Sequence, residues 1–405
     1  MHPGPRRFHQ SRPYPQGYGG GDLLDLLDEA ERLQATDTGG LLRAAATAGA
    51  QVRSTAAAAQ EAGLHRLAGE RPRALVLLTR PGAAPAAAPL LLALLGSSCP
   101  VPVVTTRSVP VWVGALDIVL ANTADPGDRE LAEGLDRAVR RGAQVVLTAP
   151  AEGPVAAAAA GRVILVVPRI DVPPALALPR TLTTGLVLLD TLGLLATDFE
   201  ALAGELDREA QRDHLAHESL VNPAKSLALR LSARTPALWG TDPVATAVAG
   251  HCAGALAAHA GVVAHAAGFP EAAALPVLLQ EARRVGGTAD ILSDPLGSPR
   301  EDSLEDPLED PPDDPLGDAP SPSGMPALRP VLLGVLGDPR HESERAAALD
   351  VVPGADVVTV DEELMVRRGE PGAAACAAAV LALRFDFAAL YLGLSRGVWA
   401  GRITG

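Results

Sequence analysis

The stretch Glu218-Ser219-Leu220-Val221-Asn222-Pro223-Ala224-Lys225-Ser226 sets a carboxylate, a carboxamide and an ammonium close together, with His214 and His217 just ahead of it. Two imidazoles three residues apart could share one helix face and hold a metal. The order H-x-x-H-E is not the HExxH pattern and lacks a recognisable third ligand, so these histidines read as surface residues, with a metal-binding or structural module kept as an alternative. Asn222-Pro223 reads as a helix start, the proline sitting in the first turn where its missing N–H costs nothing. His251, His259 and His265 form a second group, with Cys252 beside His251. A reactive thiol needs a lowered pKa, and a cysteine in an alanine-rich run reads more simply as a small buried residue.

The elements that must carry these groups follow from the apolar pattern. Ala74–Leu78, Val101–Thr105, Leu116–Ala121, Gln144–Thr148 and Val163–Val167 read as buried strands, being short apolar runs too brief for ordinary helices. Helices are expected from Asp22, near Asp37, and around 86–96, 128–141, 153–160 and 181–195. A second unit follows, with strands at 236–239, 261–266, 330–336 and 356–360 and helices at 198–212, 243–259, 341–349 and 372–395. Strand–helix alternation implies parallel, doubly wound sheets. The fold class is therefore α/β with two such units in tandem, over residues 21–197 and 198–405. Residues 1–20, rich in Pro, Gly and Arg, read as a disordered tail.

Charge separates a third region. From Asp290 to Asp318 eleven acids face Arg300 alone, so this stretch carries −10 of the net −14. Asp-Pro-Leu recurs at 294, 306 and 314. Repelling carboxylates and frequent proline read as a disordered acidic insertion over 287–328. The near-neutral remainder lacks the basic footprint that nucleic-acid binding needs. Three scattered cysteines, Cys99, Cys252 and Cys376, suit a reducing cytoplasm. No uninterrupted apolar run reaches about 18 residues, so no membrane partner is expected, and no cofactor motif is present.

Residues 21–395 resemble the bacterial and archaeal bifunctional phosphoglucose/phosphomannose isomerases, especially their actinobacterial branch, which carry two sugar-isomerase (SIS) domains in tandem. The resemblance rests on the NPAK stretch, on Asp37-Thr38-Gly39-Gly40-Leu41-Leu42-Arg43, on Phe269-Pro270-Glu271-Ala272 and on Asp386-Phe387-Ala388-Ala389-Leu390-Tyr391-Leu392. It implies a homodimer, or a heterodimer with an active paralogue, and a sugar-phosphate ligand. It also implies proton transfer between adjacent sugar carbons, with the phosphate held at helix N-termini.

The positions where the family would place that chemistry are changed. The first phosphate loop falls on Leu78-Thr79-Arg80-Pro81-Gly82-Ala83-Ala84-Pro85, where prolines remove amide donors. The second falls on Asn122-Thr123-Ala124-Asp125-Pro126-Gly127-Asp128-Arg129-Glu130, where Asp128 reads as a helix N-cap. The base falls on Ala258 and the ring-opening histidine on Ala274; no lysine follows Lys225. The family's first-domain arginine aligns with Pro174, leaving Arg180 as a substitute. The chain reads as a degenerate member whose catalytic positions are empty. Arg80, Asn122, Thr123 and Arg180 remain as ligand-binding candidates, His259 as a weak substitute base, and Glu218, Asn222, Pro223 and Lys225 as structural motif residues. An active isomerase rebuilt around His259, Arg80 and Arg180 is the alternative.

Overall fold

The computed structural model describes residues 20–159, 161–288, 327–360 and 372–398. Residues 1–19 of the expected tail and 289–326 of the acidic insertion lie outside the described residues, and Gly20 opens the first helix. The flanks of that insertion are regular: a helix continues through Thr288 and a strand begins at Leu328.

In the first half, helices α1 (Gly20–Asp28), α2 (Ala30–Thr36), α3 (Leu41–Ala46) and α4 (Ala48–Glu61) precede the first sheet. Asp37 starts α3, its carboxylate accepting from Leu41 N at 2.7 Å and Leu42 N at 3.0 Å. The strands are β1 (Ala74–Leu78), β2 (Val103–Thr106), β3 (Asp117–Asn122), β4 (Gln144–Thr148) and β5 (Ile164–Val166). Helices α5 (Ala84–Leu95), α6 (Arg129–Arg140) and α7 (Pro154–Ala159) connect them, and α8 (Leu178–Thr191) follows. All neighbouring strands run parallel, in the order β2-β1-β3-β4-β5.

The second half repeats this plan. Helices α9 (Phe199–Arg212) and α10 (Pro223–Leu231) lead to β6 (Thr235–Gly240), α11 (Pro243–Ala255) and β7 (His265–Gly268). Then come α12 (Phe269–Ala273), α13 (Pro276–Thr288), β8 (Leu328–Gly334), α14 (Pro339–Val351), β9 (Asp356–Thr359) and α15 (Ala373–Ser395). The parallel order β7-β6-β8-β9 matches the first four strands of the other sheet. The strand expected at 261–266 starts later because α11 runs into a single π turn, Leu256–Ala260, which ends on Gly261 at φ 64°. Glycine accepts that left-handed backbone without steric cost.

Alternation along each strand explains why both sheets are covered on two faces. Val76, Leu78, Val119 and Leu147 pack outward beneath α6 and α7, whereas Leu75, Leu77, Ile118 and Val146 face a large central core. Leu238, Val331 and Leu333 of the second sheet join that same core from the other side, and Trp239 and Leu332 turn outward. Helix α15 lies in the centre, packed on α9, α10 and α11, with α1, α2 and α3 also reaching it. Its composition and length would suffice to cross a membrane, yet 89% of its apolar window is buried inside the protein. It is a core helix that draws the N-terminal segment onto the C-terminal sheet.

The junction of β6 and α11 is the tightest in the second half. A Cβ on Gly240 would stand 2.2 Å from Thr246 N, so only glycine lets the strand end approach the helix backbone. Asp242 closes the same junction: its Oδ1 accepts from Ala245 N at 2.8 Å, and its Oδ2 accepts from Val335 N at 2.8 Å and Leu336 N at 3.1 Å. Asp242→Ala removes the helix cap and leaves buried amides without an acceptor. The expected loss is about 2–4 kcal/mol, measured as a shift in the denaturant midpoint at unchanged slope.

Candidate functional site

A cleft of about 700 Å3 opens between the two halves, walled by the start of α5 and one face of α11. Its lining includes Gly82, Ala83, Pro85, Ala86, Pro89 and Leu92 on one side, and Pro243, Thr246, Gly250, His251, Gly254 and Ala258 on the other. Both the first expected phosphate loop and the position expected for the base therefore border one cleft. The wall there is hydrocarbon: Gly82 and Ala83 stand in the loop, and Ala258 presents a methyl group. His251 is the one titratable side chain lining it among the described residues.

His251 is held from behind. Its Nε2 lies 2.9 Å from Oδ1 of Asp386 on α15, and both side chains are buried. Burial alone would pull the imidazole down; the carboxylate, by charge and hydrogen bond, more than offsets this, and His251 sits above its ordinary value. His259 feels the opposite balance. Burial lowers its pKa, Asp386 opposes this and His251 adds to the lowering, leaving it below its ordinary value. Cys252 is fully buried and its thiol is pushed well up, first by burial and then by Asp386. It is inert as a nucleophile.

The other candidates lie elsewhere. Arg80 is gripped by Asp128, Nε to Oδ2 at 2.7 Å and Nη2 to Oδ1 at 2.8 Å, and by Glu130 at 2.9 Å. Asp128 also caps α6, accepting from Leu131 N at 3.0 Å. The cation and the helix N-terminus that could hold a phosphate thus satisfy a carboxylate of the chain itself. The buried Thr123 hydroxyl accepts from Asp125 N at 3.1 Å and so braces its own turn. Asn122 borders a cavity of about 20 Å3 with Thr148, Thr181 and Thr184. Its Nδ2 is buried with no hydrogen-bond partner among the described residues, and the volume suits one water. Arg180 is 8% exposed and donates from Nη1 to Ile170 O at 3.2 Å, while its Nε has no partner among the described residues. Burial lowers its pKa and Asp171 partly restores it. Ala274 follows α12 and does not border the cleft.

The motif around NPAK is a structural lock. Helix α9 stops at Arg212 because Asp213, fully buried, turns its carboxylate to Ala224 N at 3.0 Å. His214 and His217 therefore stand in the turn between α9 and α10, not on a shared helix face; their rings meet edge to face at 6.2 Å. No group of three His, Cys, Asp or Glu placed to hold a metal occurs among the described residues. Asn222 caps α10 through Lys225 N at 2.9 Å, and its Nδ2 donates to His214 O at 3.1 Å. Pro223 occupies the first helical position, and Glu218 stays at the surface. Lys225, the only lysine in the chain, is buried. Its Nζ donates to Leu215 O at 2.9 Å and His217 O at 2.7 Å, and lies 5.6 Å from the centre of the Tyr391 ring. Asp386 was the residue hardest to assign from sequence. An acid inside a long apolar helix signals a buried partner, but His251 is 135 positions away.

Residues 220–403 match the family model described as bacterial phospho-glucose isomerase C-terminal SIS domain. No curated protein matches the chain. Among solved structures, a proposed phosphosugar isomerase from Silicibacter pomeroyi DSS-3 is similar with a TM-score of 0.54 at 15% identity, over 87% of this chain and 96% of that one. The C-terminal domain of glucosamine-fructose-6-phosphate aminotransferase from Francisella tularensis gives 0.55 at 10% identity, over 88% and 96%. Tagatose-6-phosphate ketose/aldose isomerase from Escherichia coli gives 0.51 at 9% identity, over 95% of each. These likenesses show the fold, two parallel-sheet α/β domains, and the family match is to an SIS domain over the C-terminal half.

Two outcomes follow from the site. Lys225→Ala strips two carbonyls of a charged donor and should cost about 2–4 kcal/mol, whereas Lys225→Met, which keeps the stem volume, should cost less; paired chemical denaturation curves check this. His259, with a folded pKa below its ordinary 6.5, contributes stability that is fully present above that value and is lost as the pH falls below it. His259→Leu should flatten the fall in stability on acidification, read from unfolding midpoints between about pH 5 and pH 8.

Proposed function

We propose that this chain keeps the scaffold of the tandem SIS isomerases, is a degenerate member of the phosphoglucose/phosphomannose group, and acts by binding rather than by aldose–ketose isomerisation. One observation carries the reading: the cleft bordered by Ala258 and by the Gly82-Ala83 loop has a wall mainly of glycine, alanine and proline, with His251 as its single titratable group among the described residues. Isomerisation needs a base to take a proton, an acid to return it and an anchor for the phosphate. Methyl groups supply none of these. The phosphate anchors point the same way, since Asp128 and Glu130 neutralise Arg80. A carboxylate at the mouth of α6 repels a dianion at about 4 Å by roughly 4 kcal/mol per charge pair at an effective dielectric near 20.

The binding role takes place in this cleft or on a protein partner, a second copy or an active relative, in a reducing compartment. The free thiols Cys99, Cys252 and Cys376 suit such a compartment. A second reading, residual isomerase turnover in the same cleft, draws support from the His251–Asp386 pair, which could pass a proton.

A coupled assay with fructose 6-phosphate and mannose 6-phosphate separates the two. No turnover above buffer is expected, because losing base and acid together removes about 10²–10⁴-fold for each. Turnover that disappears in both His251→Gln and His259→Ala would establish the isomerase reading instead.

A further inference from the structure

We propose that the cleft between α5 and α11 is a binding site for a small, uncharged, mainly apolar molecule carrying one hydrogen-bonding group, which His251 engages through Nδ1. The inference rests on the reading that the cleft has no isomerase chemistry, and goes on to name the ligand class.

Size comes first. A volume of about 700 Å3 falls within the range of about 300–1,000 Å3 typical of small-molecule sites. Chemistry comes second. Among the lining side chains, Thr246 and His251 alone carry polar groups. A sugar phosphate brings several hydroxyls and a dianion, and each hydroxyl buried against alanine or proline without a partner is costly. An apolar body pays no such penalty and gains with each area of wall it covers.

The polar complement is small and specific. His251 is 8% exposed, and its Nε2 is committed to Asp386. No hydrogen bond from Nδ1 to a described residue is present, and the side chain lines the cleft. With Asp386 directly behind it, the imidazole presents a directional hydrogen bond to the cleft, not an isolated cation. Across the cleft, Pro89 brings no N–H to the carbonyl of Pro85 four residues back, and both prolines line the wall. One carbonyl of α5 is thereby left without its helical donor.

The glycines of α11 show that the space is separate from the packed core. A Cβ built on Gly250 or on Gly254 meets no atom within 4 Å, and neither residue has positive φ. Side chains there would enter the cleft and leave the fold intact, and a non-glycine residue in mid-helix favours the helix. The site can therefore be blocked without unfolding the protein.

The test uses the full chain and the neutral fluorophore N-phenyl-1-naphthylamine, which has an apolar body and one N–H. Saturable binding of one probe per chain, with enhanced emission, is expected. Gly250→Phe and Gly254→Phe should each weaken it at least about tenfold by filling the volume, with thermal unfolding no lower than in the parent. His251→Phe, which keeps a ring and removes the hydrogen bond, should weaken it several-fold, by roughly one hydrogen bond. Absence of saturable binding, or binding untouched by both glycine variants, overturns the proposal. So does a dimer that both glycine variants dissociate and that excludes the probe, since the cleft then takes a second copy. Displacement of the probe by glucose 6-phosphate also overturns the ligand class. Failure of the probe alone, with no turnover in the coupled assay, leaves the binding reading of the fold standing.

Discussion

A 23-residue helix buried on all sides carries one arginine and one aspartate, and the rest of the structure is arranged so that neither is left alone. Arg384 on α15 meets Glu209 of α9, with Nε to Oε1 at 2.5 Å, and also donates to Thr359 O at the end of β9. Asp386, two residues on, meets His251 of α11. A charge buried without a partner would cost several kcal/mol, so these contacts set the rotation and height of α15 relative to α9, α11 and the second sheet. Tyr391, one turn further, donates to Asp213 O at 2.5 Å and covers Lys225 with its ring. The helix thereby reads out the α9–α10 turn as well.

That arrangement explains why the NPAK stretch is intact in a chain whose expected catalytic positions are alanine. Asn222 and Lys225 serve the turn between α9 and α10, and Ser219 binds Asp28 of α1 through N at 2.7 Å and Oγ at 2.6 Å. Loss of these groups would unseat α10, α15 and the N-terminal helices together. Ala258, by contrast, borders the open cleft, where the fold asks nothing of the side chain. Residues that serve packing and residues that line the cleft sit on different surfaces, so a change in one set leaves the other undisturbed.

The two ends of the first sheet show a similar division. At the C-terminal end of β1 and β3, Arg80 bridges to Asp128 and Glu130 and closes the gap between two loops. At the N-terminal end, Arg73 clasps the buried Asp117 through Nε at 3.0 Å and Nη2 at 2.6 Å, and lies 5.7 Å from the Trp112 ring centre. Both are protein–protein charge pairs within one chain. The first ties together the two loops at the C-terminal strand ends, and the second fixes the opposite end of the sheet.

Much of this was open to reading from the amino-acid sequence. Short apolar runs between helical stretches placed nine strands within a few residues and gave parallel sheets, because a strand buried on both faces must be apolar throughout. The expected helix starts at Asp128 and Asn222 were legible because capping is a local bargain between one side chain and amides a few residues on. Of the alanines at 258 and 274, the sequence could not say that only the first borders the cleft. Pairings across long separations were not legible either. His251 with Asp386, Arg80 with Asp128 and Lys225 with Tyr391 depend on where whole elements dock, and no periodicity records a partner 48 or 135 positions away. The placement of His214 and His217 in a turn, and the joining of Gly82 and Ala258 in one cleft, likewise came from packing. Local sequence determined which elements form and where they end; the shared core, set by area and volume summed over both halves, decided which side chains meet.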